Sequence, residues 1–320
     1  MKILLTNDDG VRAPGIIALY DALADPRGVF GGPLADVVWP IAPLTVQSAT
    51  SHGVTFHTPL MTEPVDVPLE GDAHMRGVAV DGRPADCVKL ALTNLWPERF
   101  GKGSRPDVLI SGMNAGANVG VNVIYSGTVA AAIEGAFLGV PSIAVSLHLG
   151  RGRPRWDLAA SRARRTIERI LEAGINAHEC LSINVPRTES PREAGDDVSP
   201  AAPPAVMARE ELPPGGDPAE MPEIRVCPMN THGLVDAYER RINPSGEVYY
   251  WAAGHGLDFR SADEGTDVDH LMAGRITVTP LKYDLTASAS EPHWRRRLDT
   301  YGGARAAEPT DRSVATGDAT

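Results

Sequence analysis

The chain has 320 residues, of which 42% are hydrophobic and 22% are charged, a balance typical of a globular protein with a sizeable core. Its formal net charge of −11 argues against binding of nucleic-acid polymers through a broad basic surface. The three cysteines are far apart and form no CxxC pair, and the amino-terminal residues contain no apolar stretch as long as a signal peptide. We therefore expect a cytoplasmic protein without a disulfide frame, a zinc site or a membrane partner.

The first predicted element is a short buried strand at residues 3–5, followed by the polar turn Asn7-Asp8-Asp9-Gly10. Loops that follow the carboxyl ends of parallel strands form the ligand crevice of an open α/β sheet. Asp8 and Asp9 would repel each other in such a crevice, and a hard divalent cation held by oxygen ligands would offset the repulsion. The alternative is ordinary turn chemistry, with both side chains in water.

Short apolar strands alternate with helical patterns through the first half of the chain. Further strands are predicted at 37–39, 108–110, 143–145 and 181–185, and helices from 14, from 84, at 128–138 and at 156–172. This alternation predicts an α/β fold with a mostly parallel, doubly wound, Rossmann-like sheet. Ordered structure is predicted to resume at 224–226, and strands predicted at 247–251 and 275–281 add a smaller β-containing extension toward the carboxyl terminus.

Two segments break the rhythm of the predicted elements. Residues 186–222 hold nine prolines and eight acidic residues, a composition that buries too little apolar surface to offset chain entropy. The residues from 286 onward are polar and mostly small. We therefore expect one domain at 1–285, interrupted by a flexible insertion at 187–222, and a disordered tail at 286–320.

Three further loops carry polar groups that suit a phosphate ligand and its metal. The loop 111–120, directly after the third predicted strand, offers Asn114 and Asn118, whose amides supply both oxygen acceptors and N–H donors. The turn Ser126-Gly127-Thr128 precedes a helix, whose first backbone amides are an anion seat. Left-handed turns and an ordinary helix cap are the alternatives for these two stretches. The loop after the second strand contributes the hydroxyl of Ser48.

Together these stretches resemble the SurE family, the stationary-phase survival proteins that act as metal-dependent 5′-nucleotidases. The matching segments are residues 3–15, 80–88, 111–120, 125–135, 265–267 and 274–281, in chain order. The resemblance implies one divalent ion per subunit, Mg²⁺ or Mn²⁺, and a homodimer or homotetramer that exchanges carboxyl-terminal elements. The implied metal ligands are Asp8, Asp9, Ser48 and Asn114. The residues implied to hold or border the substrate phosphate are Asn7, Asn118, Ser126, Gly127 and Thr128.

The activity that the resemblance implies is hydrolysis of nucleoside 5′-monophosphates, or other small phosphate monoesters, by water activated at the metal, with Asp8 and Asp9 as catalytic residues. The main alternative is a nucleotide-binding regulator on the same fold that lacks turnover. An aspartyl-phosphate phosphatase would need an Asp-x-Asp nucleophile, whereas the two acids here are adjacent. A dinucleotide oxidoreductase would carry its glycine fingerprint after the first strand, and residues 7–10 lack that spacing.

Overall fold

The structure is a computed structural model that describes residues 1–150, 152–189, 220–234, 237–253 and 259–298. Most of the predicted insertion at 187–222 therefore lies outside the described residues, as does the end of the predicted tail. The chain divides into two compact units, Met1–Lys282 and Tyr283–Thr320.

The first unit contains all the described strands and seven of the described helices. The strands are β1 (Lys2–Thr6), β2 (Val37–Pro43), β3 (Thr62–Pro68), β4 (His74–Val80), β5 (Val108–Ala115), β6 (Ser142–Leu147), β7 (Cys180–Val185), β8 (Ile224–Val226), β9 (Ala237–Ile242), β10 (Val248–Ala253) and β11 (Ile276–Leu281). The helices are α1 (Pro14–Ala24), α2 (Pro84–Leu90), α3 (Trp96–Phe100), α4 (Asn122–Tyr125), α5 (Gly127–Phe137), α6 (Trp156–Ala173) and α7 (Asp267–Met272). A π-helical segment, Ala91–Leu95, joins α2 to α3.

Within the described residues, nine of these strands form one sheet in the order β3-β4-β2-β1-β5-β6-β7-β11-β8. The six strands from β4 to β7 in that order are parallel, which confirms the predicted α/β fold with a mostly parallel sheet. The central strand β1 lies between β2 and β5, and its Ile3, Leu4 and Leu5 are fully buried because helices cover both faces. The loops after β1, β2 and β5 consequently open on the same edge of the sheet.

Two layers of helix bury the two faces of the sheet. On one face, α1 and α6 pack together and contribute apolar side chains such as Ile16, Leu19 and Ile167 to the core. On the other face, α2 and α5 contribute Val88 and Val129 to a second apolar cluster. This arrangement leaves the amino end of α5 at the edge where the loops after β1 and β5 open.

The later strands confirm the predicted β-containing extension and show how it joins the sheet. Strand β11 runs antiparallel to β7, and the short β8 pairs with the outer side of β11. Strands β9 and β10 form a separate antiparallel hairpin. The sequence did not predict β3, β4 or β9 as strands, and at β8 it predicted only that order resumes. Strand β3 contains Pro64 and Pro68, which are tolerated because it is an edge strand of the sheet.

The described part of the second unit contains helix α8 (Glu291–Leu298), within the tail that the sequence predicts to be disordered. None of its residues is buried, and the disordered tail stays a prediction from the sequence. An ion pair between Glu291 and Arg295, one turn apart, favours the helix, as do an acid in its first turn and arginines in its last. None of the described helices combines the length and apolar composition needed to cross a bilayer.

Candidate active site

Asp8 follows β1 and is anchored to the amino end of α5. Its carboxylate is 3% exposed and accepts a 3.0 Å hydrogen bond from the Thr128 backbone N–H, and a second bond from the Thr128 hydroxyl. Burial raises the pKa of Asp8 to about 6, against the hydrogen bonds from Thr128, and the neighbouring charge of Asp9 adds to the rise. The protein thus holds this carboxylate in place at an electrostatic cost that a bound cation would offset.

Asp9 lies beside the end of β5, the strand that carries Asn114. Its Oδ2 accepts a 2.8 Å hydrogen bond from the Ala115 N–H, and burial raises the pKa of this half-buried carboxyl. The Asn114 amide nitrogen donates to the Gly116 carbonyl at 2.7 Å. That bond orients the Asn114 side chain and leaves its Oδ1 available as a neutral oxygen ligand. The structure therefore brings three of the four predicted metal ligands to one edge of the sheet.

The fourth predicted ligand, Ser48, lies on the loop that follows β2. The Gln47 N–H donates to the Asp8 backbone carbonyl at 2.7 Å, which places this loop directly beside Asp8. Ser48 is exposed, and its hydroxyl forms no hydrogen bond with the described residues. Ala49 and Ser51 adopt left-handed backbone conformations, with φ of 57° and 52°, so the loop turns sharply on either side of Thr50.

The two asparagines predicted to hold or border the phosphate, Asn7 and Asn118, are both buried and bonded to other groups of the protein. Asn7 is fully buried next to Asp8, and its amide nitrogen donates to the Gly10 carbonyl at 2.9 Å. Asn118 is buried in a polar network, because its Nδ2 donates to Ser146 Oγ at 2.9 Å and its backbone N–H donates to Asn184 Oδ1 at 2.8 Å. Contact of either asparagine with a phosphate stays a prediction.

The predicted anion seat at the amino end of α5 is partly filled by the protein itself. The Thr128 N–H is bound to Asp8, the Val129 N–H donates to the Ser126 hydroxyl at 3.1 Å, and the Ala130 N–H donates to the Ser126 carbonyl. The Ala130 bond is the first regular bond of the helix, whereas the Gly127 N–H has no hydrogen-bond acceptor among the described residues. Asp8 and Ser126 therefore each engage one amide of the first turn that the sequence assigns to a phosphate, those of Thr128 and Val129.

Gly127 is required by close packing around Asp8. A Cβ atom on Gly127 would lie 2.9 Å from Asp8 Cβ and 3.1 Å from Pro84 Cγ. Any larger residue would therefore push Asp8 away from its bonds to Thr128. This contact also joins the amino end of α2, which begins at Pro84, to the amino end of α5.

The donor set fits a hard divalent cation. No group of three or more His, Cys, Asp or Glu side chains is placed for metal binding in the described ranges, so a metal here would depend on asparagine and hydroxyl oxygens as well as carboxylates. Oxygen-only ligands favour Mg²⁺ or Mn²⁺ over zinc. Asn7 Oδ1 is a buried oxygen without a hydrogen-bond partner among the described residues, beside the two aspartates.

Several residues that support the site were missed in the sequence. Asp86 and Glu134 bind the Ser48 loop, through Thr55 and His52 respectively. Asp267 accepts a 2.8 Å hydrogen bond from the Gly120 N–H and so holds the end of the Asn118 loop.

The sequence offered a signal for most of these residues. Asp86 and Asp267 lie in segments 80–88 and 265–267, which match the SurE family. Ser146 and Asn184, which bind Asn118, were also missed. The available signal was that each is a polar residue near the carboxyl end of an otherwise buried strand. These roles were not predictable from spacing because each contact joins distant parts of the chain.

Comparisons with known proteins agree with this architecture. The family model described as "Survival protein SurE" matches residues 3–201. The curated "5′-nucleotidase SurE" of Heliobacterium modesticaldum is 38% identical over 288 residues, which cover 89% of this chain and 88% of that protein. The "5′-nucleotidase SurE" of Variovorax paradoxus is 36% identical over 307 residues, which cover 94% of this chain and 100% of that protein. The crystal structure of the SurE protein from Aquifex aeolicus matches with a TM-score of 0.66 and 30% identity, covering 93% of this chain and 100% of that one.

The family match spans most of the parallel sheet and includes the loops that carry Asp8, Asp9, Ser48 and Asn114. The curated relatives align over nearly the whole chain, well beyond that match. Fold, site loops and sequence similarity therefore agree, and the chain belongs to the SurE family.

Proposed function

We propose that this protein is a divalent-metal-dependent 5′-nucleotidase that hydrolyses nucleoside 5′-monophosphates to nucleoside and phosphate. The observation that carries the proposal is the placement of Asp8 and Asp9 at the carboxyl end of β1, beside Asn114 on the adjacent strand. The names of the curated relatives support hydrolysis of phosphate monoesters as the reaction class.

Asp8, Asp9, Asn114 and Ser48 are the residues that would hold one Mg²⁺ or Mn²⁺ ion. Such an ion supplies Lewis-acid polarisation of a phosphoryl oxygen and lowers the pKa of a nearby water. Thr128 fixes the Asp8 carboxylate, and Ala115 fixes that of Asp9.

The protein's own groups have separate tasks in the proposed reaction. The Gly127 N–H, which has no acceptor in the described part of the chain, can donate to a phosphoryl oxygen as negative charge develops there. Asp9 is better placed than Asp8 to accept a proton from the attacking water. Thr128 donates to both oxygens of Asp8, whereas Asp9 Oδ1 accepts no hydrogen bond from the described residues and Asp9 is the more exposed of the two.

We also propose that the protein is a homodimer or homotetramer. The hairpin of β9 and β10 supports this proposal, since it pairs only with itself within the described chain and exposes Tyr238, Tyr250 and Trp251. Cytoplasmic location remains a prediction from the sequence.

The proposal is tested by phosphate release from 5′-AMP with Mg²⁺ or Mn²⁺, with and without EDTA, in the wild type and in Asp8→Asn. We expect EDTA to abolish turnover and Asp8→Asn to lower it by about 100-fold or more, because loss of groups that merely orient metal ligands already costs about 10- to 100-fold. Asp157→Asn, an exposed change on α6, is the matched control.

EDTA-resistant turnover, or an Asp8→Asn protein as active as Asp157→Asn, would contradict the proposal. Saturable nucleotide binding without any turnover would favour the alternative of a nucleotide-binding regulator.

A further inference from the structure

The proposed reaction leaves a deficit of positive charge at the site. A divalent ion would be neutralised by Asp8 and Asp9, while a phosphate monoester brings close to two further negative charges at neutral pH. The helix dipole of α5 already faces Asp8, and two amides of its first turn, those of Thr128 and Val129, already donate to Asp8 and to the Ser126 hydroxyl. A dianionic substrate therefore needs a further cation, and this inference rests on the proposed function.

The loops around the site supply almost no positive charge. Residues 44–62, which include the Ser48 loop, and residues 110–128, which include the Asn114 loop and the start of α5, contain no lysine, arginine, aspartate or glutamate. Lys89 on α2 is already paired with Glu134 at 2.9 Å. Two arginines flank these loops, Arg12 in the turn after Asp9 and Arg83 at the start of α2.

Arg83 is the arginine whose side chain the structure locates against a loop of the site. Gly53 lacks a side chain where the Arg83 guanidinium lies, and an added Cβ there would collide with Nη1. Gly53 follows Ser51 by two residues, so their Cα atoms are at most about 7.6 Å apart. The Ser51 N–H donates to the Tyr125 carbonyl at 3.2 Å, immediately before the turn that begins α5.

The base of Arg83 is fixed on the same side of the site. Its N–H donates to Asp86 Oδ2 at 3.0 Å, and Asp86 Oδ1 accepts from the Thr55 N–H at 2.8 Å. The next residue, Pro84, lies against Gly127, which in turn packs on Asp8. Arg83 is exposed, and its guanidinium donates no hydrogen bond and forms no ion pair within the described part of the chain.

We propose that Arg83 binds the phosphate group of the substrate, so that its guanidinium supplies the charge that the metal and the α5 amides leave unmet. A guanidinium presents paired donors that match two phosphoryl oxygens. The Arg83 guanidinium is available for that contact because no carboxylate among the described residues pairs with it. The 80–88 segment would thereby contribute a substrate-binding residue as well as the loop anchor Asp86.

The test uses Arg83→Gln, Arg83→Lys and Gly53→Ala, with Arg169→Gln on the exposed face of α6 as the charge-matched control. Two quantities are measured in the presence of Mn²⁺: the kinetics of 5′-AMP hydrolysis, and the dissociation constant of inorganic phosphate by calorimetry. The phosphate measurement does not depend on turnover, so it tests Arg83 even if the proposed activity fails.

We expect Arg83→Gln to weaken phosphate binding and lower kcat/KM by about 10- to 100-fold, the loss expected for a hydrogen-bonded charged partner. Most of the loss should appear as a raised KM, because the contact exists in the ground state as well as in the transition state. Arg83→Lys should be intermediate, since it keeps the charge and loses the paired donors.

Gly53→Ala should produce a similar loss by displacing the guanidinium, and it should add little to Arg83→Gln in the double variant. The proposal would be overturned if Arg83→Gln bound phosphate, and had a KM, within about threefold of the values for Arg169→Gln. It would also be overturned if Arg12→Gln, measured in the same way, showed the whole loss of phosphate binding instead of Arg83→Gln. A wild type that binds phosphate through Arg83 without hydrolysing 5′-AMP would leave this inference standing and refute the proposed function.

Discussion

Asp8 carries its negative charge at the amino end of α5, where the N–H and O–H of Thr128 both donate to its carboxylate. The positive end of a helix dipole stabilises an anion at this position, which in many proteins is a bound phosphate. Here a side chain of the protein takes that place. The proposed metal ligand Asp8 is thereby held rigidly, and fewer helix amides are left for the proposed contact with phosphate.

Replacing Gly127 with alanine tests how closely the site depends on the position of Asp8. The added Cβ would lie 2.9 Å from Asp8 Cβ, so Asp8 must shift by several tenths of an ångström or more. We expect turnover of 5′-AMP to fall by about 100-fold, since displacements near 1 Å carry costs of that order. Steady-state kinetics at saturating Mn²⁺ provide the measurement.

Gly135→Ala is the matched control in the same helix. Its added Cβ would lie 2.6 Å from Ser142 Oγ and 2.7 Å from Leu109 Cδ1, in the core and away from Asp8. This variant should lose about 1–3 kcal/mol of stability through overpacking while keeping its turnover per folded molecule. Equal loss of activity in both variants would show that general destabilisation, and not the position of Asp8, explains the effect.

At the scale of residues, the sequence predicted which proposed ligands share one sheet edge better than it predicted the residues that support them. Asp8, Asp9 and Asn114 could be placed together because each follows or ends a parallel strand, and such strand ends share one edge. The pairing of Asp8 with Thr128 joins residues 120 positions apart and depends on the packing of Gly127 against Asp8. No local pattern carries that information, so the same turn was interpreted as a phosphate seat.

The loop between β2 and β3 connects the Ser48 position to both helices of one face. Glu134 on α5 accepts hydrogen bonds from His52 at 2.7 Å and from Lys89 at 2.9 Å, although its own side chain is nearly buried. Burial acts to raise the pKa of Glu134, but these hydrogen bonds outweigh it and hold the pKa below its ordinary value of 4.5.

The lowered pKa of Glu134 predicts a pH-dependent contribution to stability. Because the folded-state pKa lies below the unfolded one, the carboxylate stabilises the fold above about pH 4.5, and this contribution is lost as the pH falls through the folded-state value. Glu134→Gln should therefore lower the free energy of unfolding by about 1 kcal/mol at pH 7 and by less below about pH 4. Urea unfolding at the two pH values measures both differences.

Glu98→Gln, an exposed change on α3, serves as the control and should alter stability little at either pH. An unchanged deficit of Glu134→Gln at low pH would contradict the assignment of the effect to the ionised carboxylate.

At the scale of elements, the strands at the buried centre of the sheet were predictable, whereas β3, β4 and β9 were missed. The runs at β1, β5 and β6 are apolar on both faces, which is the pattern of a doubly covered parallel sheet. Strand β3 buries only Val65 and Val67 and contains prolines, and every residue of β9 is exposed. Such strands lack the hydrophobic periodicity on which a prediction depends.

At the scale of the whole molecule, the hairpin of β9 and β10 groups several exposed aromatic side chains among the described residues. Trp251 is 63% exposed and Tyr238 is 70% exposed, although aromatic side chains of this size are usually buried. An isolated two-stranded hairpin is marginally stable in water. A second copy of the chain that covers this surface would account for both features.

Trp251→Lys therefore should shift the assembly toward the monomer. We expect the wild type to have two or four times the 34.0 kDa mass of one chain, and the variant to approach the single-chain mass at low micromolar concentration. Light scattering coupled to size-exclusion chromatography provides the measurement. Val29→Lys, a change at another exposed apolar residue in the loop after α1, should leave the mass unchanged. An oligomer that survives Trp251→Lys intact would place the contact elsewhere.

The most direct test of the account is the position of a metal ion in crystals grown with Mn²⁺. Anomalous scattering recorded near the manganese edge locates the ion independently of the refined coordinates. We predict a single strong peak per chain within coordination distance of Asp8, Asp9 and Asn114 oxygens, about 2.0–2.3 Å by analogy with other hard divalent cations. Saturating Mn²⁺ with no peak at these three side chains, or with a peak elsewhere, would contradict it.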